Sequence, residues 1–249
     1  MRVVRKVSTS LVALVLLLVS PVAHAAKGGG STYTTGFVRW SAASGGFASW
    51  QRTGTAINAS GELVLNVATA AAGTDSYAPG AYNGGNFYDG GSFTVGEAIS
   101  PIVTPASTFF EAIPSWNATT PAGTWVEAQL RARVAGTWTG WYNLGVWDDD
   151  NSTVRRHSVN GQGNTAGTVA VDTLKLSTKK GVADAIQLKL RLFSDTGVNI
   201  PIVRNASIAT SSTPGAPSST AVGRATCYYS AATTASSYCS TPPPKQGRS

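Results

Sequence analysis

From Thr124 to Val134 apolar and polar side chains alternate without a break. Val126, Ala128, Leu130, Ala132 and Val134 share one parity, and Trp125, Glu127, Gln129, Arg131 and Arg133 share the other. A period of two marks a half-buried strand, with one row in the core and the other in water. Trp125 is therefore expected on the solvated face. The pattern returns at Ile186, Leu188, Leu190 and Leu192, with Gln187, Lys189 and Arg191 opposite. A third strand is predicted over 141–147. If Tyr142, Leu144 and Val146 face its core, Trp141 and Trp147 face outward together. Glu62 to Val67 forms a shorter strand-like run. Between Val169-Ala170-Val171 and Leu174-Lys175-Leu176 the apolar phase slips by one, which predicts a bulge near Asp172-Thr173. No stretch holds a helical period. Gly and Pro break the chain at Ala78-Pro79-Gly80, Asn83-Gly84-Gly85, Thr120-Pro121-Ala122-Gly123 and Ala135-Gly136. Short alternating strands between such turns predict an all-β domain over 37–210, an antiparallel two-sheet sandwich of jelly-roll-like form.

The pattern fails at both ends. Residues 1–25 read as a secretory signal peptide: Arg2, Arg5 and Lys6 precede the apolar run Leu11–Val19, and Pro21, Ala23 and Ala25 follow it. The run is short for a span of about 30 Å of hydrocarbon, so the expected product is secreted, extracellular and free of the membrane once cleaved. A flexible Gly/Ser/Thr lead over 26–36 follows. A Ser/Pro/Thr linker is expected over 211–220, then a low-complexity tail over 221–249 too short to bury a core of its own. Cys227 and Cys239 lie in that tail with eleven residues between them, and an oxidising compartment allows them to form a disulfide.

The formal net charge of +7 suggests nucleic acid until its distribution is considered. Residues 26–210 carry 13 basic and 12 acidic side chains, a balance of +1, and the remaining excess sits in the two ends. No dense basic face exists to neutralise phosphates, so a nucleic-acid partner is excluded. A monomer is expected.

Candidate chemistry is sparse. Beyond the signal segment His157 is the only histidine, flanked by Arg155 and Arg156. Paired with Cys239 it would make a cysteine-peptidase dyad, but the neighbouring cations disfavour an imidazolium and the tail would have to dock. Asp148, Asp149 and Asp150 concentrate hard oxygen ligands suited to calcium, without an EF-hand spacing; the alternative is a solvated, turn-forming acidic loop. No other cofactor is indicated. Glycoside hydrolysis would need two opposed carboxylates, for which Glu97, Glu111, Glu127 and Asp148 are candidates without a diagnostic spacing. The aromatic residues carry more. Trp116, Trp125, Trp138, Trp141, Tyr142 and Trp147 fall within 32 residues. Exposed indoles stack on sugar rings, so Trp125, Trp138, Trp141, Tyr142 and Trp147 are the candidate ligand platform, for a polysaccharide or peptidoglycan. The competing role for each is to fill the core.

The runs Ile113 to Glu127, Trp138 to Trp147 and Ser152 to Gln162 together resemble the amino-terminal region of secreted bacterial proteins of the peptidase-family-thirty-nine-like group, papain-like relatives of bacteriocin-processing cysteine peptidases. The resemblance covers roughly 35–210. It implies a β-rich, non-catalytic module ahead of a linker and a peptidase domain. The peptidase's nucleophile segment is echoed only by Tyr238-Cys239-Ser240-Thr241-Pro242, and no histidine follows. The expectation is an accessory module whose peptidase is absent, through truncation or a frame shift near 221–226. It would bind cell-envelope glycan or position a peptidase on substrate. The rivals are a secreted hydrolase or a remnant of one.

Overall fold

The computed structural model describes residues 33–75, 91–149, 153–159 and 162–212, with the backbone of 226–227 and 239–240. The signal segment, the lead up to residue 32, Asp150, the linker from residue 213 on, and the tail apart from those four backbone positions lie outside the described residues, while Ser211 and Ser212 of the expected linker end the last long strand. Its strands are β1 (Thr34–Ser41), β2 (Gln51–Thr53), β3 (Thr55–Ile57), β4 (Leu63–Leu65), β5 (Ala71–Thr74), β6 (Ser92–Ile99), β7 (Glu111–Thr119), β8 (Thr124–Val134), β9 (Thr137–Trp138), β10 (Tyr142–Trp147), β11 (Gly167–Ala170), β12 (Thr173–Leu176), β13 (Ala183–Ser194) and β14 (Ile202–Ser212). A further pair, β15 (Thr226–Cys227) and β16 (Cys239–Ser240), sets Cys227 opposite Cys239 in antiparallel register. Two 3-10 turns are the helical content of the described residues. Among those residues no helix is long and apolar enough to cross a membrane.

Two antiparallel sheets form the sandwich that the alternation predicts. The first runs β11-β12-β7-β14-β4-β3, with β1 also on β14. The second runs β10-β8-β13-β6-β2, with β5 on β6 and β9 on β8. The predicted inner rows meet as expected. Val126, Ala128, Leu130 and Ala132 of β8 and Ile186, Leu188, Leu190 and Leu192 of β13 are fully buried, facing Ala112, Leu174, Ala206 and Ile208 of the first sheet. The Ala135-Gly136 turn has positive φ at both residues, the geometry of a two-residue hairpin that continues the strand twist.

The phase slip at 171–173 is a two-residue hairpin rather than a bulge. Ala170 pairs with Thr173, and Val171 and Asp172 make the turn, with Val171 at φ 60°. A bulge that the sequence did not signal lies instead in β10. Asn143 pairs with Gln129 and Gly145 with Ala128, so Leu144 is the extra residue, and the Asn143 Oδ1 accepts a 3.0 Å hydrogen bond from Gly145 N across it. The outer face of the second sheet is also not a uniformly wet one. Residues 153–159 fold back over it, paired to the edge of β10 where Val146 and His157 exchange backbone bonds of 2.9 and 3.1 Å. Val154 and Val159 of this segment join Val146, Trp125, Phe93 and Phe193 in a second apolar cluster.

Candidate functional site

The bulge at Leu144 decides where the aromatic residues go. Before it, Trp141 lies on the outer face of the second sheet. Beyond it, the parity reverses: Val146 pairs with Glu127 on the outer face, and Trp147 pairs with Val126 on the inner one. Trp141 and Trp147 therefore point to opposite sides, contrary to the shared parity read from sequence. Trp147 stands at the rim of the sandwich, edge-on to Trp116 of β7 with ring centroids 6.3 Å apart and planes at 89°.

The two indoles wall a cleft of about 450 Å³ between the sheets. One side is the edge of β7 at Pro114 and Ser115, left open because the β11–β12 hairpin turns at Val171-Asp172 just where β12 stops pairing with β7. A proline is tolerated in β7 there, where one neighbouring strand has ended. The other side is β10 with Arg156, His157 and Ser158 of the covering segment. Gly145 leaves room at the back: a β-carbon there would meet the His157 carbonyl oxygen at 3.4 Å and the tip of the Trp116 indole at 3.9 Å.

An acidic lock holds these walls. Asp148 is fully buried, and its Oδ2 accepts hydrogen bonds from the backbone N–H of Thr153 (3.0 Å) and Val154 (3.1 Å), which turns the chain back over the sheet. Asp149 accepts from the Trp147 Nε1 at 3.2 Å and the Thr120 N–H at 3.0 Å, while its own N–H donates to Thr120 Oγ1 at 2.7 Å. These oxygens already serve donors. Asp148 is thus neither the solvated loop nor an open cation ligand expected from sequence, and Asp150 lies outside the described residues. Among the described residues no three His, Cys, Asp or Glu side chains gather as a metal-holding group. Gln162 completes the lock: its Oε1 accepts from Asn143 N (2.8 Å), and its Nε2 donates to the carbonyls of Asn143 and Val159.

Within the cleft, the Arg156 guanidinium lies 4.5 Å from the centre of the Trp147 ring. His157 is buried, and its Nδ1 sits 2.5 Å from the carbonyl oxygen of Arg155. A carbonyl only accepts, so Nδ1 carries the proton. The cleft's lining, among the described residues, includes no cysteine. The side chain of Cys239 lies outside the described residues, so the proposed dyad has no geometry here.

The other expected ligand residues separate into two groups. Trp125 is 2% exposed and not on a solvated face: it stacks on Phe193 at 5.0 Å and meets Phe93 edge-on at 5.9 Å. Tyr142, 3% exposed, points into the core between the sheets, where its hydroxyl donates to Asn164 Oδ1 at 2.7 Å; burial pushes its phenol above the ordinary value. Neither presents a ring to a ligand. Trp138 and Trp141 are half-buried on the outer face, with the Arg131 guanidinium 4.8 and 4.7 Å from their ring centres and the Lys189 ammonium 4.7 Å from Trp141. The carboxylates proposed for hydrolysis are engaged elsewhere. Arg191 bridges Glu97 at 3.0 Å and Glu127 at 3.3 Å, Glu127 is fully buried with Gln129 bonded to it, and Glu111 pairs with Lys175 at 3.8 Å. Asp172 and Arg156 were missed as cleft residues. A turn made by a β-branched residue gives no turn signal, and Arg156 stands out in the sequence only as a cation beside His157.

A family model described as the Peptidase C39 N-terminal domain matches residues 36–211, a span that includes every wall of the cleft. No curated protein matches the chain.

Proposed function

The chain belongs to the Peptidase C39 N-terminal domain family and is a peptidase-associated module, and we propose that it is exported and grips cell-envelope glycan in the cleft between Trp116 and Trp147 rather than cleaving bonds itself. The observation that carries this reading is the aromatic-walled cleft of about 450 Å³, a volume typical of small-ligand sites. A sugar ring offers apolar C–H faces to indoles and hydroxyls to polar groups at the rim. Here Arg156, His157, Ser158 and Asp172 supply donors and acceptors around the two rings. The outer-face tryptophans suit a neutral sugar less well, because a ring stacking on Trp141 competes with the two cations already against it. Export rests on the basic start and the apolar run Leu11–Val19.

Retention on insoluble peptidoglycan and on cellulose tests the proposal. Truncating a central aromatic anchor costs about 2 kcal/mol or more, so Trp147→Ala and Trp116→Ala should each weaken retention more than roughly tenfold. Unchanged retention in both variants discards the cleft as a glycan site.

A further inference from the structure

The outer face of the second sheet holds an arginine whose setting the cleft does not explain. Arg131 projects from β8 between the indoles of Trp138 and Trp141. Its Nε and Nη2 both donate to Gln187 Oε1, at 3.0 and 2.6 Å. Gln187 is itself buried and anchored, its Nε2 donating to the Ser100 carbonyl at 2.8 Å. The guanidinium is thus held on one edge by a fixed amide and on its faces by two rings. The neighbouring cations are each neutralised: Arg133 by Asp184 at 2.8 Å, Lys189 by Glu97 at 3.7 Å, and Arg191 by Glu97 and Glu127. Arg131 makes no ion pair among the described residues, and its Nη1 finds no acceptor there. What remains is the Nη1–Nη2 edge, two parallel N–H donors on a rigid, half-exposed cation.

We propose that Arg131, framed by Trp138 and Trp141, is a second binding site, which takes a two-oxygen anionic group carried on an envelope polymer. The guanidinium fork matches the oxygen spacing of a carboxylate or a phosphate and binds either through two parallel charge-assisted bonds. Pre-fixing the arginine removes the ordering cost that a free side chain would pay on binding. This site is separate from the cleft. Trp141 immediately precedes β10 and Trp147 ends it, six residues on and about 20 Å away along an extended chain, and the two face opposite sides of the sheet. The proposal does not depend on the glycan reading of the cleft.

Calorimetric titration at low salt tests it, with four probes: a galacturonate trimer, its methyl ester, inorganic phosphate and glycerophosphoglycerol. The expected result is saturable binding of an anionic probe with no binding of the methyl ester. Galacturonate binding assigns a carboxylate source; binding of the phosphorus probes alone assigns a phosphate source. Arg131→Gln should reduce affinity on the order of tenfold, the worth of one charge-assisted pair. Arg131→Lys keeps the charge but offers no fork, so it should lose severalfold; it also covers the case in which the glutamine variant does not fold. Binding of none of the anions, equal binding of the ester, or undiminished affinity in the folded variants overturns the proposal. Retention of the same variants on neutral cellulose is read separately, so the two sites fail independently.

Discussion

Removing the indole of Trp125 would take away a ring stacked at 5.0 Å on Phe193 and covered by the segment that carries Val154 and Val159. Large-to-small changes at such sites cost about 3–5 kcal/mol, so Trp125→Ala should lower the urea midpoint sharply. Trp138→Ala removes a half-buried ring whose described partners are Arg131 and Arg133, a loss on the order of 1 kcal/mol. Equal effects in the two variants would contradict the burial of Trp125. The parity of Trp125 was legible in the alternation, since it does lie with Glu127, Gln129 and Arg131 on the outward row. Whether that row meets water was not. Parity assigns a side chain to a face, and the cover of that face comes from residues some 30 positions further along the chain. Glu127 makes the same point. Its place in the polar row suggested solvent, yet it is fully buried with Arg191 and Gln129 as partners.

At the scale of elements, β8 spans the Thr124–Val134 of its alternation, because a long strand central to its sheet has its inner row imposed by the core along its whole length. β7 and β14 were harder to see. β7 carries Pro114 and exposes Ile113, and β14 mixes Ser, Ala and Asn, so neither shows a clean period. The slip at 171–173 was visible, but a bulge and a two-residue hairpin shift the apolar phase alike. The usual cue for the hairpin, Gly or Asn at positive φ, is absent because Val171 occupies the position. A β-branched residue at φ 60° is strained by about 1–2 kcal/mol relative to glycine's freedom there. Val171 is also 63% exposed and contributes little packing. Val171→Gly should therefore raise stability by roughly 1 kcal/mol, after the greater entropy of the unfolded glycine is subtracted. A thermal midpoint that stays level or falls would show that the turn gains more from valine than the strain removes.

For the whole molecule, stability at alkaline pH brings the two sheets and their edge together in one measurement. The Tyr142 ring lies in the core between the sheets and its hydroxyl reaches Asn164, which leads into the β11–β12 hairpin. Burial holds its phenol above the ordinary 10.0, so the folded state favours the protonated form. That contribution is fully present below about pH 10 and is lost as pH rises through the raised folded value. Lys189 works in the opposite sense. Burial first, and Arg191 after it, depress its ammonium below 10.5 against the pull of Glu97 and Glu127, so the cost of keeping it charged lifts as pH rises through that lowered value. At the acid end, the hydrogen bond from Arg133 lowers the Asp184 carboxyl, whose small exposed contribution is present above 3.8 and lost as pH falls through the lowered value. Tyr142→Phe separates these effects. At pH 7 it should cost about 1 kcal/mol for the lost hydrogen bond and no more, since Asn164 Oδ1 still accepts from the N–H groups of Ala166 and Gly167. Above pH 10 the variant no longer has a phenol to ionise inside the core, so the gap to wild type should narrow as pH rises. Urea midpoints measured from pH 7 to 11.5 follow the narrowing; a gap that stays constant would mean that ionisation of Tyr142 does not contribute to the alkaline loss of the fold.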